Sequence, residues 1–214
     1  MNREDKNLKL SWKLIVLCAA VLLPSLKAQD VPILRKNMWE AGGFTGASYG
    51  VDKARVMGGG NVTYSLFRAI LPYVEFSDFP SIQRTFNNQD TVIHYDVPIT
   101  DVNFGIHARF LIPKTRIVPY AVLGAGLLHA SSNTNTFTTP QDAGGFKTVR
   151  KFVDPSTDFA VNFGGGIRVY LKEQFGIRGE FKAYELTSGA LKKNLGYDRL
   201  YRATFGIFWQ FGGR

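Results

Sequence analysis

Two neighbouring stretches of the chain, 157–171 and 175–184, alternate apolar and polar residues with a period of two. In the first stretch the apolar residues share one parity: Phe159, Val161, Phe163, Ile167, Val169 and Leu171. Successive side chains of a β-strand point to opposite faces, so each stretch is predicted to be a strand with one apolar and one charged face. About nine to eleven tilted residues cross a bilayer as a strand, and both stretches reach that length. The pattern therefore indicates a hairpin of a membrane β-barrel with lipid outside and a polar lumen.

The same alternation recurs along the chain and predicts eight strands. They cover residues 39–49, 59–67, 71–79, 99–112, 117–130, 157–171, 175–184 and 199–211. The first, third, fifth and seventh connections are the longer ones, and the predicted loops 80–98 and 131–156 are the longest. Bacterial outer-membrane barrels have short periplasmic turns and long extracellular loops. The sequence thus predicts an all-β, eight-stranded, antiparallel up-and-down transmembrane β-barrel with periplasmic termini.

The first 28 residues differ from the rest and are predicted to be a secretory signal peptide. Basic residues precede the ten-residue apolar core Leu14–Leu23, which is the order of a secretory signal. The expected organisation is a signal at 1–28 and an outer-membrane barrel at 29–214. Cys18, the only cysteine, falls within this signal. The exported chain therefore offers no disulfide, thiol nucleophile or cysteine-ligated zinc site.

The net charge is positive, +9 for the whole sequence. Residues 29–214 hold 21 Lys and Arg against 15 Asp and Glu, a net charge of +6. Basic residues are concentrated in the predicted connections: Lys53, Arg55, Lys147, Arg150, Lys151, Lys192 and Lys193. An exported chain does not meet nucleic acid, so outer-membrane lipid headgroups and lipopolysaccharide phosphates are the expected partners. Solvated loop charges without a partner are the alternative.

An eight-stranded barrel is just wide enough for its own side chains to fill the interior. The polar parity of the strands predicts ten charged lumen residues: Glu40, Glu75, Asp101, Arg109, Asp158, Arg168, Arg178, Glu180, Lys182 and Arg202. Buried charges are costly unless they are paired, and here five acids meet five bases beside His107. We expect an internal salt-bridge network that plugs the barrel, with a narrow gated ion path as the alternative.

Aromatic residues near the strand ends are expected at the two membrane–water interfaces, which Trp and Tyr prefer. They are Trp39, Tyr120, Tyr170, Tyr201 and Trp209.

Three segments carry a family resemblance. The segment F-G-G-G-I-R-V-Y-L, followed by a short turn and F-G-I-R-G-E-F-K, resembles a strand hairpin of the bacterial outer-membrane β-barrel family, the small OmpA-like and OmpX-like barrels. V-P-Y-A-V-L-G-A-G-L and the final F-G-I-F-W-Q-F resemble other strands of that family. The resemblance implies an outer-membrane location and insertion by the barrel-assembly machinery. The family usually ends on an aromatic residue, whereas Gly212, Gly213 and Arg214 follow here.

An enzymatic function is less favoured by the residues. The segment 183–191 is similar in layout to the active strand of lipid A 3-O-deacylases, but no histidine stands near Ser188, and Glu185 is the nearest base. His129 and Ser131 have the right spacing in the wrong strand, and His94 and His107 show no metal-ligand spacing.

We therefore predict no catalytic residue, metal or cofactor, and a structural or surface-interaction function whose loop partner is unknown. A deacylase-like hydrolase and a soluble lipocalin-like binder remain alternatives, the latter requiring an apolar lumen.

Overall fold

The computed structural model describes residues 35–49, 54–88, 91–113, 115–131, 133–140, 146–153, 155–188 and 199–212. These residues form ten strands: β1 (Met38–Tyr49), β2 (Arg55–Tyr64), β3 (Ile70–Asn88), β4 (Thr91–Arg109), β5 (Ile117–Ala130), β6 (Asn133–Pro140), β7 (Phe146–Val153), β8 (Ser156–Tyr170), β9 (Phe175–Ser188) and β10 (Arg199–Gly212). Among the described residues there is no helix long and apolar enough to cross a membrane. The predicted signal peptide, together with Lys53, Lys192 and Lys193, lies outside these ranges.

Eight of the ten strands close into a barrel. Each of β1, β2, β3, β4, β5, β8, β9 and β10 pairs antiparallel with the next, and β10 returns to β1. The closing pair runs from Met38 opposite Gly212 to Tyr49 opposite Tyr201. The predicted eight-stranded antiparallel barrel is confirmed, and closure leaves these strands without a free edge along the barrel wall.

The period-two pattern of the sequence sets which side of the wall each residue occupies. Along β10, Arg202, Phe208 and Gln210 are buried, whereas Ile207 and Trp209 between them are more than half exposed. An ordinary soluble protein turns its apolar parity inward. Here the polar parity lies inside the barrel and the large apolar side chains cover the outside.

The two ends of the barrel differ in how far the strands continue beyond the wall. At the end where β1 begins and β10 ends, the turns 65–69 and 171–174 are short. Backbone hydrogen bonds tie these turns to the terminal strands, from Asn37 N to Ser65 O at 2.7 Å and from Gln210 N to Gln174 O at 2.6 Å. The extensions of β3 and β4 beyond Phe79 and Ile99, and the hairpin of β6 and β7, lie at the opposite end.

Two predicted loops are wrong, because much of each is strand. The predicted loop 80–98 consists mainly of extensions of β3 and β4, which pair from Ile82 opposite Val97 to Asn88 opposite Thr91 after a register shift. The predicted loop 131–156 contains the hairpin of β6 and β7, and β6 pairs with β4 through Val92–His94. Backbone hydrogen bonds can pair segments of polar composition, so that composition misled the loop prediction.

The smaller corrections concern β2, which begins at Arg55 and ends at Tyr64 rather than covering 59–67. Its end is fixed by Ser65, whose backbone N donates to Met38 O at 2.8 Å, after which the chain turns towards β3.

Candidate functional site

The strands bring the ten predicted charged residues together inside the barrel. All are at most 6 % exposed: Glu40, Glu75, Asp101, Arg109, Asp158, Arg168, Arg178, Glu180, Lys182 and Arg202. They come from β1, β3, β4, β8, β9 and β10, and each occupies the inner parity of its strand.

A central cluster forms around Glu75 of β3. Its carboxylate accepts a hydrogen bond from Lys182 Nζ at 2.9 Å and another from Arg202, and Arg178 Nη2 lies 3.9 Å from its second oxygen. The three cations stand on β9 and β10, which do not neighbour β3 in the sheet. These ion pairs therefore cross the lumen and join opposite walls.

Two further carboxylates complete the central cluster. Glu180 lies 3.1 Å from Lys182 Nζ and 3.4 Å from Arg202 Nη2. Asp101 lies 3.7 Å from Arg202 Nη1 and accepts a hydrogen bond from Ser77 Oγ at 2.8 Å. Each lysine or arginine of the cluster thus faces at least one carboxylate, the arrangement that makes buried charge tolerable.

A second cluster lies nearer the termini. Arg168 Nη1 donates to Glu40 Oε2 at 2.6 Å, and Arg168 Nη2 donates to His107 Nδ1 at 2.8 Å. Because a guanidinium can only donate, Nδ1 of His107 accepts and its proton sits on Nε2. That nitrogen lies 3.7 Å from Glu180 Oε2, beyond hydrogen-bond distance, so His107 stands between the two clusters.

Arg109 has a different environment from the other arginines. Its guanidinium donates to the hydroxyls of Tyr170 and Ser65, each at 3.0 Å. Tyr170 Oη also accepts from Gln210 Nε2 at 3.3 Å, and that amide reaches Glu40 at 3.3 Å. A chain of neutral groups therefore connects Arg109 to the second cluster.

Two of the five predicted interface aromatics are wrong. Tyr120 and Tyr170 are 2 % and 1 % exposed and lie inside the lumen, where Tyr120 Oη donates to Glu180 at 2.8 Å. Both sit on the inner parity of their strands, and parity overrides nearness to a strand end. The structure places Trp39 and Trp209 on the outer face, 48 % and 53 % exposed, and Tyr201 is half-buried there beside Phe181.

Sequence reasoning missed two apolar layers that enclose the charged clusters. Towards the long connections the lumen is filled by Phe44, Met57, Phe79, Ile99, Leu128, Ala130, Ala160, Tyr184, Leu186 and Leu200. Towards the termini, Val118, Tyr170 and Phe208 form a smaller layer with Leu111 packed against it. Part of the first layer could have been found in the sequence, because Ile99 lies two residues before Asp101 in β4 and therefore shares its inner face. The charged network therefore lies between two apolar layers.

Glycines on the inner parity leave room for side chains that cross the lumen. A Cβ at Gly124 would overlap the hydroxyl of Tyr73, which donates to Asn162 Oδ1 at 2.9 Å. A Cβ at Gly166 would lie 2.6 Å from the hydroxyl of Tyr120. These glycines are packing requirements of the lumen.

The outer wall carries an apolar band to which every barrel strand contributes. Its largest exposed members include Val62, Phe76, Phe104, Leu123, Phe163, Phe181, Phe205 and Ile207. From Tyr201 to Phe211 the band spans about 25 Å along the barrel axis, given the rise and tilt of barrel strands. That height equals the apolar band of membrane barrels, about 25 Å.

The residues considered for hydrolysis do not assemble into a catalytic group among the described contacts. His129 Nδ1 is 2.8 Å from Thr157 Oγ1, and Glu185 lies 3.5 Å from Arg199 on the outer rim. Within the described part of the chain, no three His, Cys, Asp or Glu residues are grouped to hold a metal.

No protein-family model matches the chain, and no curated protein matches it. Among solved structures, a major outer membrane protein from Thermus thermophilus is similar, with a TM-score of 0.50, 7 % identity, and coverage of 83 % of this chain and 100 % of that chain. The N-terminal β-barrel domain of Pseudomonas aeruginosa OprF has a TM-score of 0.47 and 16 % identity, covering 82 % of this chain and 98 % of that one. Ail of Yersinia pestis has a TM-score of 0.47 and 14 % identity, covering 83 % of this chain and 100 % of its own.

The similarity to the Thermus thermophilus protein concerns the fold alone. The chain has the fold of the transmembrane β-barrels: a closed antiparallel wall, apolar outside and charged inside.

Proposed function

We propose that this protein is an integral outer-membrane β-barrel, closed to solutes, that anchors an extended sheet and its connections at the cell surface. The observation that supports the proposal most directly is the orientation of the side chains in the barrel wall, apolar outside and charged inside. Large apolar side chains such as Phe104 and Ile207 are more than half exposed, while the ten charged lumen residues are buried. Soluble monomers rarely expose a continuous apolar surface of this size to water. In a membrane barrel the apolar lipid chains cover such a surface.

The packed interior supports an anchor rather than a pore. The central carboxylates and cations pair across the lumen, and apolar layers at both ends separate them from water. Porins of larger strand number instead leave an aqueous channel. A structural or surface-interaction role follows more directly from this interior than ion conduction does.

The end with the long connections supports the surface-interaction part of the proposal. In β3, residues Ile82–Asn88 add about 20 Å of strand beyond the barrel. If the short turns are periplasmic, as in bacterial barrels, this sheet stands outside the cell. Exposed polar residues such as Arg199 and Glu185 rim the barrel here, at the level where lipopolysaccharide headgroups would lie.

The proposal is tested by fractionation and gel mobility of the expressed protein. We expect the protein in the outer-membrane fraction and a different mobility before and after boiling, because a closed membrane barrel stays folded in detergent. A protein found soluble in the periplasm, with one mobility under both conditions, would refute it.

A further inference from the structure

Basic side chains surround the end of the barrel where β1 begins and β10 ends. Five of them lie outside the lumen on the turns and on the segment before β1, and all five are exposed: Arg35, Lys36, Arg68, Arg116 and Lys172. We call these five residues the basic collar. Among the described residues of this end, Glu173 is the only acidic one outside the lumen. Five positive charges against one negative charge give this end a net charge of +4.

The opposite rim of the barrel has no such excess. The Asp, Glu, Lys and Arg residues there that lie outside the lumen, among the side chains that the structure describes, are Arg55, Asp78, Glu185 and Arg199. Two bases meet two acids, and Arg199 Nη2 lies 3.5 Å from Glu185 Oε2. In the described part of the barrel, the unbalanced positive charge is therefore concentrated in the basic collar.

Contacts between the turns bring the basic collar together around one mouth of the barrel. Arg116 Nη1 donates to Leu171 O at 3.0 Å, which joins the turn before β5 to the turn after β8. Arg35 Nη2 lies 3.6 Å from Glu173 Oε2, so the segment before β1 stands next to the same turn. A guanidinium has five N–H donors, so Arg116 has further donors to offer an acceptor from outside.

Apolar side chains are exposed directly beside the basic ones. Phe67, which precedes Arg68, is 58 % exposed, and Leu171, which precedes Lys172, is 47 % exposed. Two further members of the turns are exposed to a similar extent, Leu66 and Ile112. Apolar and basic side chains side by side are typical of segments that lie at a membrane interface. There the apolar groups enter the acyl region and the cations meet the headgroups.

Two aromatic pairs mark the level of the membrane boundary at this end. The rings of Trp39 and Tyr64 lie 4.9 Å apart, and those of Phe175 and Trp209 lie 6.1 Å apart. Trp and Tyr prefer the headgroup level of a bilayer. Tyr64 Oη donates to the side chain of Asn37, the neighbour of Lys36, at 3.3 Å. The basic collar therefore lies at the level of the phosphates of the nearer leaflet.

We propose that the basic collar binds the phosphate headgroups of anionic phospholipids in the leaflet that faces the periplasm. The inference rests on the proposed function, which places the barrel in the outer membrane with its short turns on the periplasmic side. The cell wall is a second source of negative charge on that side. A contact with the cell wall would leave Phe67 and Leu171 in water. The membrane interface instead covers these apolar side chains and neutralises the cations at the same time.

Tryptophan quenching by brominated lipids tests the proposal at the site itself. Trp39 and Trp209 are the only tryptophans of residues 29–214, and their aromatic partners place both at the end with the basic collar. The protein is folded in phosphatidylcholine vesicles that contain either phosphatidylglycerol or phosphatidylcholine with bromine on the acyl chain near the headgroup.

At low salt we expect brominated phosphatidylglycerol to associate with the barrel at least about fivefold more strongly than brominated phosphatidylcholine. That ratio is the effect of about one basic residue near an anionic surface. High salt should remove the preference, because it screens exposed charges. Equal quenching by the two lipids at low salt would overturn the inference.

Two double variants assign the preference to one end of the barrel. Lys36→Gln with Lys172→Gln removes two charges from the basic collar, and Arg55→Gln with Arg199→Gln removes two from the opposite rim. We expect the first double variant to lower the preference for phosphatidylglycerol to less than about twofold and the second to leave it unchanged. An equal loss in both would overturn the assignment to the basic collar.

The same data separate a failure of this inference from a failure of the proposed function. Quenching by neither lipid would place Trp39 and Trp209 in water and refute the membrane barrel. Equal quenching by both lipids keeps the membrane barrel and refutes only the lipid preference. If the wild type then co-sediments with cell-wall sacculi and the K36Q/K172Q variant does not, the basic collar binds the cell wall and the inference is overturned.

Discussion

The charge balance of the lumen predicts a large effect for one substitution, Glu75→Gln. In the wild type, three central cations (Arg178, Lys182, Arg202) face the carboxylates of Glu75, Glu180 and Asp101. The glutamine keeps the size of the side chain but removes its charge, so three cations then share two carboxylates. Removing one partner of a buried ion pair costs about 3–5 kcal/mol. Because Lys182 and Arg202 retain Glu180, at 3.1 Å and 3.4 Å, we expect the lower end of that range.

The assay is urea-induced unfolding in lipid vesicles, followed by the fluorescence of Trp39 and Trp209 on the outer wall. Glu185→Gln is the matched control, because Glu185 of β9 likewise pairs with an arginine, Arg199, yet both side chains are about half exposed. An exposed pair contributes about 0–1 kcal/mol, so this variant should unfold nearly like the wild type.

A double variant tests the reasoning from the opposite direction. Lys182→Met added to E75Q restores two cations against two carboxylates and should recover at least about 2 kcal/mol relative to E75Q alone. If E75Q costs no more than E185Q, the cations are compensated by water, and the closed, dry lumen is refuted.

Three further predictions concern the packing, the outer wall and the closure of the barrel. Gly124→Ala should lower the free energy of unfolding in urea by about 1–3 kcal/mol, because the added Cβ overlaps the hydroxyl of Tyr73. The control Gly179→Ala, whose Cβ would have no atom within 4 Å, should change it by less than about 0.5 kcal/mol. Equal effects of the two variants would refute the packing argument. Phe104→Arg on the outer band should lower the free energy of unfolding in vesicles by about 2–4 kcal/mol, and His129→Arg at the rim by about 0–1 kcal/mol. The reverse order would contradict the position of the apolar band in the membrane. In planar bilayers the wild-type barrel should pass no steady ion current, and a stable conductance would contradict the two apolar layers.

The barrel could be predicted from the sequence because each of its strands must satisfy lipid on one side and a crowded lumen on the other. That double constraint produces a period-two pattern in the sequence. In β10 the pattern places Arg202 and Gln210 on the inner face and Ile207 and Trp209 on the outer face. The same parity located the charged lumen residues, although it did not reveal their pairing. Which carboxylate meets which cation depends on the stagger of the strands, as in the contact between Glu75 and Lys182 from opposite walls.

The sequence was a poorer guide where this alternating pattern is absent. Strand β5 is apolar on both faces, so its inner residues Tyr120 and Leu128 could not be distinguished from its outer ones by alternation. The hairpin of β6 and β7 is not part of the closed wall, and the Thr- and Asn-rich sequence of β6 resembles a loop. Its place was fixed only by pairing with β4 at Val92–His94.

The most direct test of the membrane-embedded wall is spin-label accessibility. Residues 29–214 contain no cysteine, so single cysteines can be placed at Ile207 in the outer band and at Arg199 on the rim. In lipid vesicles we expect a nitroxide at 207 to be reached readily by oxygen and poorly by a water-soluble nickel chelate, with the opposite order at 199. Equal access of the nickel chelate to both positions would place Ile207 in water and contradict the membrane barrel.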